Sequence, residues 1–116
     1  MGAPRRYTDV HEEACRHIRL YIQLGPGVEF EWEDSKARKN LEKHGIDFAD
    51  VRAIWDHPVL ERRSQRDREP RWLVYGRLGE VVVAVVYTWR GEHCRIISAR
   101  RASRNERASY YEACGR

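Results

Sequence analysis

Val81–Arg107, VVVAVVYTWRGEHCRIISARRASRNER, is the stretch on which the fold turns. Val81 to Tyr87 is the only long apolar run of the chain, and Val81 to Trp89 presents apolar residues on both pleat faces. A strand of that kind is buried on both sides, which predicts the centre of a sheet. Arg90-Gly91-Glu92 reads as a tight turn and His93 to Ala99 as the next strand, so the pair is expected to be antiparallel. From Arg90 to Arg107 six arginines (Arg90, Arg95, Arg100, Arg101, Arg104, Arg107) face two acids, Glu92 and Glu106. The net excess of four equals the formal +4 of the whole chain, so the other segments together are neutral. A local cationic surface on a rigid sheet suits a polyanion.

The 116 residues suffice for one domain with a modest core. With 41% hydrophobic and 34% charged residues the chain reads as globular rather than disordered, and its longest apolar run is too short to span a bilayer. The N-terminal stretch, with His11, Glu12, Glu13 and Arg16, lacks the apolar centre of a signal peptide. Cys15, Cys94 and Cys114 are too scattered for a disulfide framework, which makes a reducing cytoplasm the expected location. The five histidines have no metal-ligand spacing, and no phosphate-binding glycine motif occurs, so neither metal nor cofactor is expected.

Upstream of the opening stretch, residues 1–27 read as an extension. Val10, Ala14, Ile18 and Ile22, four apart, predict a helix with Thr8 as its cap. Val28 to Trp32 alternates as an edge strand does. A helix capped by Asp34 or Ser35 is expected over Lys36–His44, closed by Gly45, with Ile46 against Leu41. Asp47 caps a second helix with Phe48, Val51, Ile54 and Trp55 inward, ending before Pro58. Strands are expected at Val59–Gln65 and Arg71–Arg77, and Ser103 with Glu106 forms a capping box for a last helix to about Ala113. The expected order is β-α-α-β-β-β-β-α.

Phe30-Glu31-Trp32, then Lys36, Asn40, Lys43-His44-Gly45-Ile46 and Phe48, resembles the start of the BrnT-type toxins of type II toxin–antitoxin systems. Arg71-Trp72, Gly76-Arg77, the valine strand, Tyr87-Thr88, Arg90-Gly91, Arg95-Ile96-Ile97-Ser98-Ala99-Arg100, Ala102 and Glu106 continue the match over about residues 28–113. The resemblance implies an α+β fold of RelE-like type: a central antiparallel sheet, two N-terminal helices and a C-terminal helix. It implies an endoribonuclease that cleaves mRNA. It also implies neutralisation by a BrnA-type ribbon-helix-helix antitoxin that binds operator DNA, commonly with two copies of each chain. Residues 28–116 would be the toxin domain, and residues 1–27 depart from the pattern. Val28 is an alternative start, since a GTG codon can be read as valine in a longer gene model.

Metal-free RNA cleavage needs a proton-transfer group beside the 2′-hydroxyl or the leaving oxygen, and cations on the phosphate. His44 is the expected acid–base residue, with a helix C-cap as the equally weighted structural role. Arg71, Arg90 and Arg95 are expected to grip the phosphate from strand positions, because arginine donates a planar fork. Lys36, Lys43, Arg77, Trp89, Arg100 and Arg101 are expected along the RNA, although Lys36 and Lys43 equally suit a solvated face. Trp72 and Tyr87 read as core, while Trp89 is the better candidate for stacking on a base. Asp67 and Glu69 could serve as a base or as salt-bridge partners of nearby arginines, and the salt-bridge reading is preferred. Arg100, Arg101, Arg104 and Arg107 oppose a helix dipole, a conflict that a phosphate or an acidic partner surface would offset, with a solvated cluster as the equally weighted alternative. His93, in the hairpin, ranks below His44. The competing class is a basic module that binds an antitoxin or nucleic acid without turnover. A DNA-binding repressor is disfavoured, because the Lys36–Trp55 helix pair lacks a basic recognition face.

Overall fold

The computed structural model describes residues 27–63 and 69–115, together with the backbone of 5–9, 18–24 and Ser64. Seven strands form one sheet: β1 (Arg5–Asp9), β2 (Ile18–Leu24), β3 (Glu29–Glu31), β4 (Val59–Ser64), β5 (Arg71–Leu78), β6 (Val81–Arg90) and β7 (His93–Arg101). Their spatial order is β1-β2-β4-β5-β6-β7-β3. Helix α1 (Asp34–His44), a 3-10 helix (Phe48–Asp56) and α2 (Arg104–Cys114) complete an α+β domain in the expected element order from Val28 onward.

β6 is an interior strand, one place from the middle of the sheet and covered on both faces as its composition predicts: Val82, Val83, Ala84 and Val85 are each at most 1% exposed. The two sheet faces are distinct. On the first face, Trp72, Val74, Val83, Val85, Tyr87, Cys94, Ile96 and Ala99 pack against Ile46, Phe48, Val51, Ile54 and Trp55. On the second, Leu60, Tyr75, Val82 and Ala84 pack against Tyr110 of α2. The β6–β7 register shifts between Val86 and Tyr87, where Ile97 is skipped, so β7 changes the parity of its faces there.

Local chemistry explains the helices. Gly45 takes the left-handed conformation (φ 72°) that closes α1, and its N–H donates to the Leu41 carbonyl. Leu41 itself stays exposed, while Ile46 turns into the core. Asn40, buried in α1, donates to the Ile46 carbonyl at 3.0 Å and accepts from the Ala99 N–H of β7 at 3.1 Å. One amide thus locks helix, turn and sheet together. Ser103 and Glu106 form the expected capping box of α2.

Several expectations are corrected. The sheet is mixed, because β3 pairs with β7 in parallel. The second N-terminal helix is a 3-10 helix, which its buried Phe48, Val51 and Ile54 favour: residues three apart line up at three residues per turn. Gly76 lets it sit close to β5, since a Cβ there would lie 2.8 Å from Ile54 Cβ. The N-cap of α1 is Glu33, without a side-chain bond, rather than Asp34 or Ser35. The helix expected through Ile18 and Ile22 is not formed there. Ile18–Leu24 is strand β2, antiparallel to β4, and Thr8 lies inside β1. Val10 and Ala14 of that expected helix, like Gln65 and Asp67, lie outside the described residues. No described helix is long and apolar enough to cross a membrane.

Candidate active site on the second face of the sheet

Strand alternation sorts the arginines. Trp72 and Tyr87 point to the first face, so their neighbours Arg71 and Thr88 point to the second. Thr88 is registered with Arg95, Arg95 with Glu31, Arg90 with His93, and His93 with Glu29. Arg71, Arg90, His93 and Arg95 therefore share one end of the second face, at the opposite end from α2. Adjacent strands lie about 4.8 Å apart, so Arg71 and Arg95, two strands from each other, are about 10 Å apart at the backbone.

Acids tie this group together. Glu69 lies 3.4 Å from Arg90 Nε and 3.9 Å from Arg71 Nε. Glu31 accepts from Arg95 Nη1 at 2.8 Å with one oxygen and lies 3.0 Å from His93 Nδ1 with the other. Arg95, and after it His93, holds the Glu31 carboxyl below the usual carboxylate range. Glu69 acts as the expected salt-bridge partner. Glu31 is the functional candidate passed over in the sequence, because its alternation with Phe30 and Trp32 signals only a strand edge; the parallel register that sets it beside Arg95 is not local. The Thr88 hydroxyl donates to the Pro70 carbonyl at 2.5 Å, fixing the approach to β5 between these two acidic anchors.

The covered end of the same face is chemically different. Arg100 donates to both oxygens of Glu106, at 2.8 and 2.9 Å, and Tyr75 donates to Glu106 at 3.2 Å. Bonding to Arg100 leads the causes that lower the Glu106 carboxyl to about 2. Burial leads those that raise Tyr75. The dipole conflict at the start of α2 is thus offset from within for Arg100. Arg107 donates to the Ala102 carbonyl at 3.3 Å. Arg77 lies on this face near Tyr110.

The remaining expected residues lie elsewhere. His44 is half-buried at the C-terminus of α1, and its side chain makes no hydrogen bond or ion pair with another described residue. Asn40 of that helix meets the sheet at Ala99, four residues past Arg95, and His44 follows a turn later. Lys36 and Lys43 are exposed on α1. Arg101, registered with Val83, belongs to the first face. Trp72 and Tyr87 are core, as expected. Trp89 also packs on the first face, with its ring 5.9 Å from that of Tyr87. Glu61 is a fully buried carboxyl group that accepts from the Tyr87 hydroxyl, and its neighbours Arg62 and Arg63 give no sign of that burial in the sequence. Burial, with Glu61 and Glu31 adding to it, pushes the Cys94 thiol well up, which leaves it a poor nucleophile. Among the described residues no group of three or more acidic, histidine or cysteine side chains is arranged to hold a metal ion.

An exposed end of a rigid strand pair that offers arginine forks and an imidazole beside carboxylates has the parts for phosphodiester chemistry. No curated protein matches the chain. Residues 32–106 match the family described as the ribonuclease toxin, BrnT, of type II toxin–antitoxin systems. That span runs from the end of β3 to the capping glutamate of α2 and takes in Arg71, Arg90 and Arg95; the chain belongs to the BrnT family of ribonuclease toxins.

Proposed function

We propose that this toxin cleaves messenger RNA in the cytoplasm without a metal ion, on the open end of the second sheet face. The supporting observation is the convergence of Arg71, Arg90 and Arg95 there, opposite carboxylates that are themselves solvent-accessible. Exposed ion pairs of this kind contribute only about 0–1 kcal/mol, so a phosphate can displace them. Attack by the ribose 2′-hydroxyl supplies the nucleophile from the substrate itself. The arginine forks then stabilise the charge that builds on the pentacoordinate phosphate. Arg77 extends the face toward α2, whereas Lys36 and Lys43 on α1 and Trp89 and Arg101 on the first face lie off this path.

Purified toxin incubated with end-labelled RNA in EDTA is expected to yield 2′,3′-cyclic phosphate and 5′-hydroxyl ends. RNA that stays intact, or is cut only when magnesium is added, would overturn the metal-free reaction. His44→Ala separates the layers of the molecule. Full activity keeps proton transfer on the arginine face, whereas lost activity brings the end of α1 into the site.

As a type II toxin the chain has an antitoxin partner. We propose a BrnA-type ribbon-helix-helix protein in an assembly of two toxins and two antitoxins that binds operator DNA through the antitoxin. Light scattering on the co-expressed pair, with and without operator DNA, tests both stoichiometry and DNA binding.

A further inference from the structure

We infer that His93 is the general base of this site and that Glu31 is the residue that positions it. The assignment rests on the proposed ribonuclease reaction and adds the proton-transfer pair. Parallel pairing of β3 with β7 registers Glu29 with His93 and Glu31 with Arg95, which puts one carboxylate in reach of both cationic side chains. Glu31 Oε1 lies 3.0 Å from His93 Nδ1, and Oε2 accepts from Arg95 Nη1 at 2.8 Å. An ionised carboxylate only accepts hydrogen bonds, so Nδ1 carries the proton and the neutral ring keeps its lone pair on Nε2. Arg95, and then His93, holds the Glu31 carboxyl low, which keeps it ionised.

Nε2 points away from this anchor, and the His93 side chain is 48% exposed. Glu29, 3.6 Å from Nε2, is 74% exposed and is too loosely held to block a substrate. Arg90, the cross-strand partner of His93, and Arg95, two residues along β7 on the same face, flank the ring. A phosphate gripped by these two arginines lies within reach of Nε2. A carboxylate that fixes the imidazole tautomer while leaving the other nitrogen to the substrate is the arrangement that makes histidine an oriented base.

In the step assigned here, His93 Nε2 takes the proton of the 2′-hydroxyl as O2′ attacks phosphorus. The P–O5′ bond breaks with its electron pair on O5′, which takes a proton from water. The resulting hydroxide is neutralised when the imidazolium releases its proton. The products are a 2′,3′-cyclic phosphate and a 5′-hydroxyl end. The charged groups facing the ring are Glu29 and Glu31 from β3, Arg90 from β6 and Arg95 from β7, with Glu92 in the adjoining turn.

The test measures cleavage and RNA binding by full-length His93→Ala, Glu31→Gln and wild-type chains across pH. His93→Ala is expected to cut roughly 10²-fold or more slowly, while filter binding to RNA stays within about threefold of wild type. The wild-type rate should rise with pH along an acidic limb that His93→Ala lacks. Glu31→Gln should slow cleavage roughly tenfold or more with RNA binding within about threefold of wild type, since the ring loses the carboxylate that orients it. Cleavage by His93→Ala or by Glu31→Gln at the wild-type rate, or a binding loss as large as the rate loss, would each overturn the assignment. In those outcomes the wild type still cuts, so the ribonuclease reaction stands. A wild-type chain inert on RNA would overturn both.

Discussion

The two ends of the second sheet face carry the same kinds of side chain and put them to opposite uses. At the covered end, Arg100 is clamped by both oxygens of Glu106, which also caps α2 and accepts from Tyr75. At the open end, Arg95 shares Glu31 with His93, and Arg90 and Arg71 share Glu69 at longer range. Glu106 is 19% exposed, whereas Glu31 and Glu69 are 32% and 38% exposed. A half-buried carboxylate bonded through both oxygens holds its arginine as part of the fold. An accessible one leaves the arginine able to change partner. The arginine-rich stretch is therefore two things: a cation bonded to the capping glutamate of a helix, and cations whose carboxylate partners are more open to solvent.

The contrast predicts that activity and stability separate along one strand face. Arg90→Ala should lower RNA cleavage by about 10²–10³-fold, the scale of losing one transition-state donor, and change stability by less than about 0.5 kcal/mol. Denaturant melts run beside the cleavage assay check both. A stability loss matching the activity loss would mean that the open end is structural too.

Asn40→Ala should damage both ends together, because its amide holds β7, the strand that carries Arg95 and Arg100. Removing it strands the Ala99 N–H and the Ile46 carbonyl, for an expected loss of about 2–3 kcal/mol. Urea unfolding measures this, and a loss below about 0.5 kcal/mol would show that water replaces the amide.

The covered end has its own pH signature. The folded Glu106 carboxyl sits at about 2, below its ordinary 4.5. The stabilisation it brings is fully present above the ordinary value and is lost as pH falls from there toward 2. Glu106→Gln should cost about 1–2 kcal/mol at neutral pH, allowing for the half-exposed Arg100, and flatten that acid limb. An unchanged limb in the variant would assign the acid loss to other carboxylates.

What the sequence made legible follows from what is local. The apolar run of β6, the glycine that closes α1 and the Ser103–Glu106 box each act within a few residues, and all appear in place. What it hid is relational. Ile18 and Ile22 are four apart, but Leu20 and Leu24 complete a strict alternation, and pairing with β4 selects the strand. The parallel β3–β7 pair joins residues more than sixty apart, so neither Glu31 nor its grip on His93 is visible from spacing. The division of the arginines between ends and faces depends on the register shift at Val86, which no single-strand pattern encodes.

The smallest effect is expected farthest from the arginine face. Lys36 and Lys43 stand exposed on α1, a helix that meets the sheet on β7 through Asn40. Each phosphate contact made by a lysine contributes about one unit to the slope of log affinity against log salt. If RNA stays on the open end of the second face, Lys36→Ala with Lys43→Ala leaves that slope within about half a unit of wild type, while Arg71→Ala lowers it by about one. A fall of about two in the double variant would instead carry the RNA path over the β7 edge onto α1. His44 would then lie on that path, and the open end of the sheet would be one part of a longer groove rather than the whole site.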